Sequence, residues 1–422
     1  MKPLLFGFML ASLLLGCASA KKNVQRTTDS VFASPFYDQQ FTGVLILDAG
    51  TKDTLYARNS EKYFTPASNT KIFTLFAALQ FLPDKIPALK YVTQNDTLYV
   101  EGTGDPSFLH PHFMDSTALN FLHGHRNISL HLDNFVENRY GPGWAWGDYQ
   151  YYYQPERTAF PLYGNVVTLH NSESVKVVPT YLYDKVVPID YTLRRELDRN
   201  LFYFGKTRKD TLEIPFKTDT TLIKTLLEDV LGKKLSLADR MPAGEKNVLY
   251  SLPSDSLYRR MMHKSDNMIA EQLLILASST LSDTLDGGKV RDSVLSNQLA
   301  DLEQPPRWVD GSGLSRYNLF TPESMVQVLS KLHEQVPEQR LFDIFPAGGV
   351  SGTLEDWYPG NPDPYIYAKT GTLGNVHCVS GYLVTNSGKT LIFSFMNNHY
   401  RHQSSEIKKR MQLIFETIRD TY

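Results

Sequence analysis

The chain has 422 residues, more than one hydrophobic core usually accommodates, so we expect two or three domains. Apolar residues make up 42% and charged residues 21%, a composition that excludes a disordered, collagen-like or coiled-coil chain. The 43 basic and 45 acidic residues nearly cancel, and we find no local basic patch in the sequence, so we predict no nucleic-acid partner.

The N-terminus has the pattern of a secretion signal. Lys2 precedes an apolar run over 4–15, which as a helix spans only about 18 Å and is too short to cross a bilayer. The run ends at Gly16-Cys17, which resembles a bacterial lipobox; the alternative is an ordinary signal with a chance cysteine. We predict a signal peptide over 1–16, a lipid on Cys17 that anchors the protein to a membrane of the bacterial envelope, facing the periplasm, and a flexible tether over 17–30.

The cysteine content excludes two further kinds of site. Cys378 is the only cysteine besides Cys17, so the chain has neither a disulfide framework nor a zinc site built on cysteines. Cys378 lies in an apolar run, and we expect a small buried core residue there.

Strand and helix patterns at the two ends of the chain predict a single sheet. The predicted elements are strands over 42–48, 54–58, 379–385 and 390–397 and helices over 68–82 and 404–419. We therefore assign 31–85 and 246–422 to one domain and 86–245 to an insertion. Within the insertion the patterns predict short strands over 90–93, 96–100, 128–132 and 176–178 and a helix over 222–231.

The first motif with chemical meaning is Ser68-Asn69-Thr70-Lys71. Residues at positions i and i+3 of a helix share a face, so the hydroxyl of Ser68 and the amine of Lys71 are expected to be neighbours. Ser-x-x-Lys also occurs at 19–22 and 405–408, but only the copy at 68 opens a buried apolar helix. A nucleophile placed there gains the field of the helix N-terminus and dry surroundings.

The second motif, Ser265-Asp266-Asn267, begins another predicted helix and is open to two interpretations. One is a plain helix cap, since these residue types are favoured at that position; the other is a polar wall of an active site. The third motif, Lys369-Thr370-Gly371-Thr372, follows an apolar run and predicts a strand whose glycine lets a ligand approach the backbone. Its alternative is an edge strand with a charged residue.

Together the three motifs, in this order, resemble those of the penicillin-recognising serine hydrolases. Lys71 and Ser265 are 194 positions apart. This separation resembles the branch with an extra domain inserted there, the D-alanyl-D-alanine carboxypeptidases/endopeptidases of the low-molecular-mass class C penicillin-binding proteins. Further stretches similar to that branch are 64–71, 102–107, 141–144, 310–318 and 351–354, whereas the resemblance weakens over 165–245. The resemblance implies an α+β fold: a serine β-lactamase/transpeptidase-like domain, an antiparallel sheet with helices on both faces, interrupted by an inserted, mostly β domain.

The resemblance also implies a mechanism. Ser68 attacks the carbonyl of the penultimate D-alanine of a peptidoglycan stem peptide and forms an acyl-enzyme. Lys71 takes the serine proton, its pKa lowered by burial and by the charge of Lys369. Ser265 relays the proton to the departing D-alanine. The backbone N–H groups of Ser68 and Thr372 form the oxyanion hole.

The same resemblance assigns the substrate contacts. Asn267 holds the substrate amide, and Lys369, Thr370 and Thr372 grip the terminal carboxylate. Arg316 is a candidate side wall of the pocket, with a solvated surface arginine as the alternative. β-Lactams are expected as covalent inhibitors, and neither a cofactor nor a metal is expected. Two other functions stay open, a β-lactamase-type hydrolase and an inactive peptidoglycan-binding relative.

Two further patterns are ambiguous. Five histidines fall between His110 and His131 without a recognised ligand spacing, so we expect a surface loop rather than a metal site. The aromatic run over 140–163 alternates as in a strand with one exposed aromatic face, which could stack on sugars or stem peptides, or could pack in the core of the insertion.

Overall fold

The computed structural model describes residues 20–172 and 174–422. The predicted signal peptide and Cys17 lie outside these residues. The helices are α1 (20–32), α2 (Thr70–Phe81), α3 (Thr117–His123), α4 (Thr220–Leu231), α5 (Ser254–Lys264), α6 (Asn267–Ser278), α7 (Gly287–Ser296), α8 (Pro322–Gln335), α9 (Glu338–Ile344) and α10 (Ser404–Thr421).

The strands of the described residues form four sheets. They are β1 (Phe41–Asp48), β2 (Thr54–Arg58), β3 (Lys85–Gln94), β4 (Thr97–Gly102), β5 (Asn127–His131), β6 (Val166–Asn171), β7 (Val175–Val178), β8 (Val186–Val187), β9 (Phe202–Tyr203), β10 (Leu212–Pro215), β11 (Ser236–Leu237), β12 (Asn247–Pro253), β13 (Ile366–Leu373), β14 (Val376–Val384) and β15 (Thr390–Asn398).

The main sheet is built from both ends of the chain. Its order is β13-β14-β15-β1-β2, and every pairing in it is antiparallel. Strand β1 from the start lies against β15 from the end, with Val44 opposite Phe395. This pairing confirms the prediction of one sheet assembled from both termini.

Alternate residues of the main-sheet strands enter two different cores. Leu45 and Ile392 pack with α2, α6 and α8 on one face, whereas Val44 and Phe393 pack with α10 on the other. Both faces of the sheet are therefore covered by helices, because successive strand residues point to opposite sides. The predicted α+β architecture is confirmed, and Cys378 is fully buried in the first core, as expected.

The segment predicted as a tether differs from that prediction in its described part. Residues 20–32 are helical, and Val24, Thr28 and Phe32 are buried. These three residues recur every four positions, so they share one helix face, and Val24 and Phe32 pack in the core beneath α10. The flexible tether predicted over 17–30 is thus wrong from residue 20 onward, because a sparse apolar stripe was hidden among polar residues.

A second sheet lies in the middle of the chain, with the order β11-β5-β4-β3-β12. Its pairings are mixed, since β5 is parallel to β4 and to β11 while β3 is antiparallel to β4 and β12. Smaller sheets join β10-β6-β7 and β8-β9. Strand β3 spans the predicted limit of the insertion at 86, and β12 begins just after the predicted limit at 245. Those limits stay a prediction.

The aromatic run over 140–163 does not form the expected strand. It holds a short 3₁₀ helix, Trp146–Gln150, within irregular chain, and Gly143 adopts a positive φ of 75° that interrupts an extended strand. Its rings divide between burial and exposure: Tyr149 is 5% exposed, whereas Trp146 is 79% exposed. Among residues 20–172 and 174–422, no helix has the length and apolar character of a membrane span.

Candidate active site

The Ser68 motif opens α2 through a tight turn. Ser68 lies in the 3₁₀ turn Ala67–Asn69, and α2 starts one residue later, slightly after the predicted helix start. Lys71 is therefore in the first turn of α2, where its Nζ lies 3.0 Å from the Ser68 Oγ. Ser68 is half-buried and borders a cavity, whereas Lys71 is completely buried beneath it. The contact between the Ser68 hydroxyl and the Lys71 amine that the motif predicted is therefore present.

Lys71 is held by three acceptors. Besides Ser68, its Nζ donates to the Asn267 Oδ1 at 2.7 Å and to the Ser312 backbone carbonyl at 2.6 Å. Burial lowers the pKa of Lys71 to about 8, while the charges of Asp310, Glu271 and Asp266 oppose that shift. At a pH close to this value, the amine is present in both its neutral and its charged form.

Lys369 is a second fully buried lysine of the site. Its Nζ donates to the Ser265 Oγ at 2.9 Å and to the Thr370 carbonyl at 2.6 Å. Burial, and then the charge of Lys71, lower the pKa of Lys369 well below its ordinary value. The sequence predicted that burial and the charge of Lys369 both lower the pKa of Lys71. In the structure burial lowers the pKa of Lys71, whereas the repulsion between the two lysines lowers the pKa of Lys369.

The motif Ser265-Asp266-Asn267 serves both as a cap and as a wall of the site. Asp266 caps α6, since its Oδ1 accepts from the Ile269 N–H at 3.1 Å. Ser265, in the left-handed conformation that ends α5, contacts Lys369. Asn267 joins Lys71 to the carbonyl of Tyr153, to which its Nδ2 donates at 2.8 Å. The helix-cap interpretation thus applies to Asp266, while Ser265 and Asn267 line the cavity.

Strand β13, at the edge of the main sheet, carries the third motif past the nucleophile. A Cβ on Gly371 would lie 2.4 Å from the Pro66 carbonyl oxygen and 3.0 Å from the Ser68 nitrogen. Only glycine permits so close an approach. Thr370 and Thr353 share a 2.7 Å hydroxyl contact, and the Thr372 Oγ1 lies 3.1 Å from the Nδ1 of His377.

One cavity joins the motifs. It has a volume of about 890 Å³, and its lining includes Ser68, Ser265, Asn267, Thr372 and Arg316. The remaining predicted residues, Lys71, Lys369 and Thr370, lie behind this lining. Arg316 is exposed at the rim, where its Nη2 donates to the Gly374 carbonyl at 3.4 Å. The structure thus brings every predicted site residue among 20–172 and 174–422 to one place.

Sequence reasoning missed the buried carboxylates behind the lysines. Glu271 lies four residues after Asn267 on α6, and its Oε1 accepts from the backbone N–H of Ser312 at 2.7 Å. Its other oxygen lies 3.4 Å from the Nη1 of Arg157. Burial, followed by the charge of Asp310, raises the pKa of Glu271. The one available signal was the helical i+4 spacing from Asn267.

Asp310 organises the loop that carries Ser312. Its Oδ1 accepts from the Gly313 N–H at 2.8 Å and from the Asn318 side chain at 2.7 Å. Its Oδ2 accepts from the Ser315 N–H at 2.7 Å and from the indole N–H of Trp144 at 2.9 Å. A buried carboxylate with four donors is well satisfied, so this loop is firmly held next to Lys71.

The histidine-rich stretch is not simply a surface loop. His110 is buried and borders the cavity, and its Nδ1 accepts from the His112 N–H at 3.1 Å. Burial lowers the pKa of His110 to about 4. In the part of the chain that the structure describes, no group of three or more His, Cys, Asp or Glu side chains is placed to hold a metal ion.

The chain matches a known protein family over most of its length. The family described as D-Ala-D-Ala carboxypeptidase 3 (S13) matches residues 24–179 and 233–418. The D-alanyl-D-alanine carboxypeptidase DacB of Haemophilus influenzae is 24% identical over 86% of this chain and 86% of that protein. The D-alanyl-D-alanine carboxypeptidase of Actinomadura sp. strain R39 is 25% identical over 92% of this chain and 84% of the relative.

Solved structures share the fold. The crystal structure of penicillin binding protein 4 (dacB) from Haemophilus influenzae superposes with a TM-score of 0.72 at 22% identity, over 93% of this chain and 97% of that one. The predicted family and enzyme class, a serine D-Ala-D-Ala carboxypeptidase, are confirmed by the match, which favours neither a β-lactamase nor an inactive relative. With most of its length matched, this chain belongs to the D-Ala-D-Ala carboxypeptidase 3 (S13) family.

Proposed function

We propose that the protein removes the terminal D-alanine from peptidoglycan stem peptides through an acyl-enzyme on Ser68, and that penicillin acylates the same serine. The observation that carries the proposal is the 3.0 Å contact between the Ser68 Oγ and the Nζ of the buried Lys71, at the wall of an 890 Å³ cavity. A hydroxyl beside an amine of lowered pKa is the arrangement that an activated serine requires.

The first step is acylation. Lys71 in its neutral form accepts the Ser68 proton as Oγ bonds to the carbonyl carbon of the penultimate D-alanine. The oxyanion that forms lies between the backbone N–H groups of Ser68 and Thr372, each such donor contributing about 3 kcal/mol to transition-state stabilisation. The close passage of Gly371 supports this role, since it brings β13 against Ser68.

Collapse of the tetrahedral intermediate breaks the peptide bond. The departing D-alanine amine needs a proton, and Ser265 is the donor that we propose to pass it from Lys71. The 2.9 Å contact with Lys369 supports this assignment, because Lys369 donates to the Ser265 oxygen and thereby leaves the Ser265 hydroxyl proton free to pass to the amine. Water then attacks the acyl-enzyme carbonyl, Ser68 recovers its proton, and the shortened peptide leaves.

Substrate is held on both sides of Ser68. We assign the substrate amide to Asn267, whose side chain borders the cavity while bound to Lys71 and Tyr153. Thr370 and Thr372 bind the terminal carboxylate, with Lys369 attracting it by its charge. Arg316 forms a side wall at the rim.

The family acts on the bacterial cell wall, which gives the protein an envelope location. We further propose that 1–16 is a signal peptide and that a lipid on Cys17 holds the protein on a membrane facing the periplasm. The lipobox pattern at Gly16-Cys17 supports the anchor. The division into 31–85 plus 246–422 and an inserted 86–245 is likewise proposed, on the two separate hydrophobic cores.

Release of D-alanine from a peptide ending in D-Ala-D-Ala tests the proposal. We expect steady release by the purified protein and none above background with Ser68→Ala. Ser405→Ala is a matched control, because Ser405 begins another Ser-x-x-Lys sequence on α10 and should retain full activity. Absence of release by the wild type, or equal release by Ser68→Ala, would contradict the proposal; rapid consumption of penicillin would indicate a β-lactamase.

A further inference from the structure

A row of four polar side chains crosses the main sheet and ends at Thr372. Thr372 in β13 is directly opposite His377 in β14. His377 is in turn opposite Asn397 in β15, which is opposite Thr42 in β1. Directly opposite residues of antiparallel strands point to the same face, so each side chain of the row is a neighbour of the next. Thr372 is exposed and lines the cavity that joins the motifs, whereas the other three are buried.

The two ends of the row are hydrogen-bonded, and its middle contains two buried atoms without partners. The Thr42 Oγ1 donates to the Asn397 Oδ1 at 2.8 Å, and the Nδ1 of His377 lies 3.1 Å from the Thr372 Oγ1. Between these contacts, the Nε2 of His377 and the Nδ2 of Asn397 have no hydrogen-bond partner among the described residues. Buried polar atoms are rarely left unpaired, so the protonation of this pair is informative.

The donors and acceptors of the row determine which nitrogen of His377 carries the proton. Burial, followed by the charge of Lys408, lowers the pKa of His377 to about 3, so the ring is neutral at neutral pH and has one N–H. A proton on Nε2 would place two buried donors, this N–H and the Asn397 amide, opposite each other without an acceptor, which is costly. A proton on Nδ1 leaves Nε2 as an acceptor that faces the amide. The row therefore favours the proton on Nδ1.

The position of this proton determines what Thr372 presents to the cavity. A threonine hydroxyl has one proton to donate and lone pairs that accept. If the Nδ1 of His377 accepted a hydrogen bond, the hydroxyl proton would point into the sheet and only lone pairs would face the cavity. If Nδ1–H donates to the Thr372 Oγ1, the hydroxyl proton is free for a ligand in the cavity. A carboxylate is repelled by the first arrangement and bound by the second.

We propose that His377, kept protonated on Nδ1 by its place next to Asn397, is a positioning residue that directs the Thr372 hydroxyl proton to the substrate carboxylate. The inference rests on the proposed function, in which Thr372 binds the terminal carboxylate, and it adds the residue that orients this contact. His377 is completely buried and is not part of the cavity lining. Its effect on the reaction therefore depends on whether the substrate has a carboxylate.

Two D-alanyl thioester substrates test this dependence, one with a leaving group that ends in a carboxylate and one that ends in its methyl ester. We expect His377→Leu to lower kcat/KM about tenfold on the carboxylate, mainly through KM, and to leave the ester unchanged. Unchanged hydrolysis of the ester also shows that the variant is folded. His377→Asn should keep most of the wild-type value on both, because its amide N–H replaces Nδ1–H. His123→Leu, exposed at the end of α3 and outside the cavity lining, is the matched control.

Two further measurements separate this role from a structural one. If His377 acts through the Thr372 hydroxyl, adding His377→Leu to Thr372→Val should cause no further loss on the carboxylate substrate. Nitrogen-15 NMR of the histidine side chains distinguishes a neutral ring protonated on Nδ1 from one protonated on Nε2, and His377→Asn identifies the signal. We expect the proton on Nδ1.

Several outcomes would overturn the inference while leaving the proposed function intact. They are equal losses on the two thioesters, no loss in His377→Leu, additive losses in the double variant, or a proton on the Nε2 of His377. A wild type that hydrolyses neither thioester would instead overturn the proposed function, and the NMR measurement would still test the protonation of the row.

Discussion

The active site and the proposed insertion differ in the large side chains that they bury and expose. Around Ser68, two lysines and two carboxylates are almost completely buried, and each has hydrogen-bond partners. In the middle of the chain, large aromatic side chains such as Trp146, Tyr183 and Tyr191 are more than half exposed. Burying a charged group is costly unless the group is paired, which explains why each of these four side chains has partners. Buried charges in turn shift the pKa values of the neighbouring titratable groups.

The proposed insertion nevertheless contacts the site in three places. The carbonyl of Tyr153 accepts from Asn267, the indole of Trp144 donates to Asp310, and Arg157 faces Glu271. Neither Tyr153, Trp144 nor Arg157 supplies a reacting atom in the proposed mechanism. In the proposed mechanism, one region therefore performs the chemistry while the other fixes the positions of the reacting groups.

The largest effect is expected where β13 passes Ser68. Gly371→Ala places a Cβ 2.4 Å from the Pro66 oxygen, so the strand must move away from the nucleophile. A displacement on this scale costs about 100-fold in rate, which we expect in the rate constant for acylation by benzylpenicillin. Gly147→Ala is the control, because nothing lies within 4 Å of its added Cβ. Similar rates for both variants would show that the close approach is unimportant.

A smaller effect concerns the pH dependence of acylation. Since neutral Lys71 is the active form and its pKa is about 8, the acylation rate should rise with pH through a midpoint near that value. The charge of Glu271 raises this pKa, so Glu271→Gln should shift the midpoint to lower pH, by about one unit.

A pH–rate profile measured by penicillin acylation checks this shift. Glu406→Gln, on the surface of α10, should leave the midpoint unchanged. An unchanged midpoint in Glu271→Gln, or a shift to higher pH, would contradict the electrostatic role of Glu271. If Glu271→Gln only distorted the site, the rate would fall at every pH and the midpoint would not move.

The smallest effect separates two tryptophans of the inserted region. Trp144→Phe removes a donor to the buried Asp310 and should cost about 1–3 kcal/mol of unfolding free energy. Trp146→Phe, at a side chain 79% exposed, should change stability by less than about 0.5 kcal/mol. Chemical denaturation measures both values. Equal values would mean that Trp144 does not anchor the region to the site.

Local patterns were sufficient to predict part of this molecule. The helical spacing of Ser68 and Lys71 and the strands at both termini depend on periodicities of a few residues, and the structure has them as expected. The 3.4 Å pair of Arg157 with Glu271 joins residues 114 positions apart, and Trp144 and Asp310 are 166 apart. No local pattern specifies such pairs, because tertiary packing alone brings them together.

The remaining errors have local causes. In α1, only Val24 and Phe32 are fully buried apolar residues, and Val31 packs beside them, so the sequence resembled a polar tether. In the aromatic run, alternation suggested a strand that Gly143 interrupts with its positive φ.

Intact-protein mass spectrometry after brief exposure to benzylpenicillin tests the central claim most directly. The account predicts a mass increase of one whole drug molecule on the wild type and on Ser405→Ala, persisting for minutes. It predicts no increase on Ser68→Ala, provided that circular dichroism shows this variant to be folded. An adduct on folded Ser68→Ala, or none on the wild type, would contradict the assignment of Ser68 as the nucleophile.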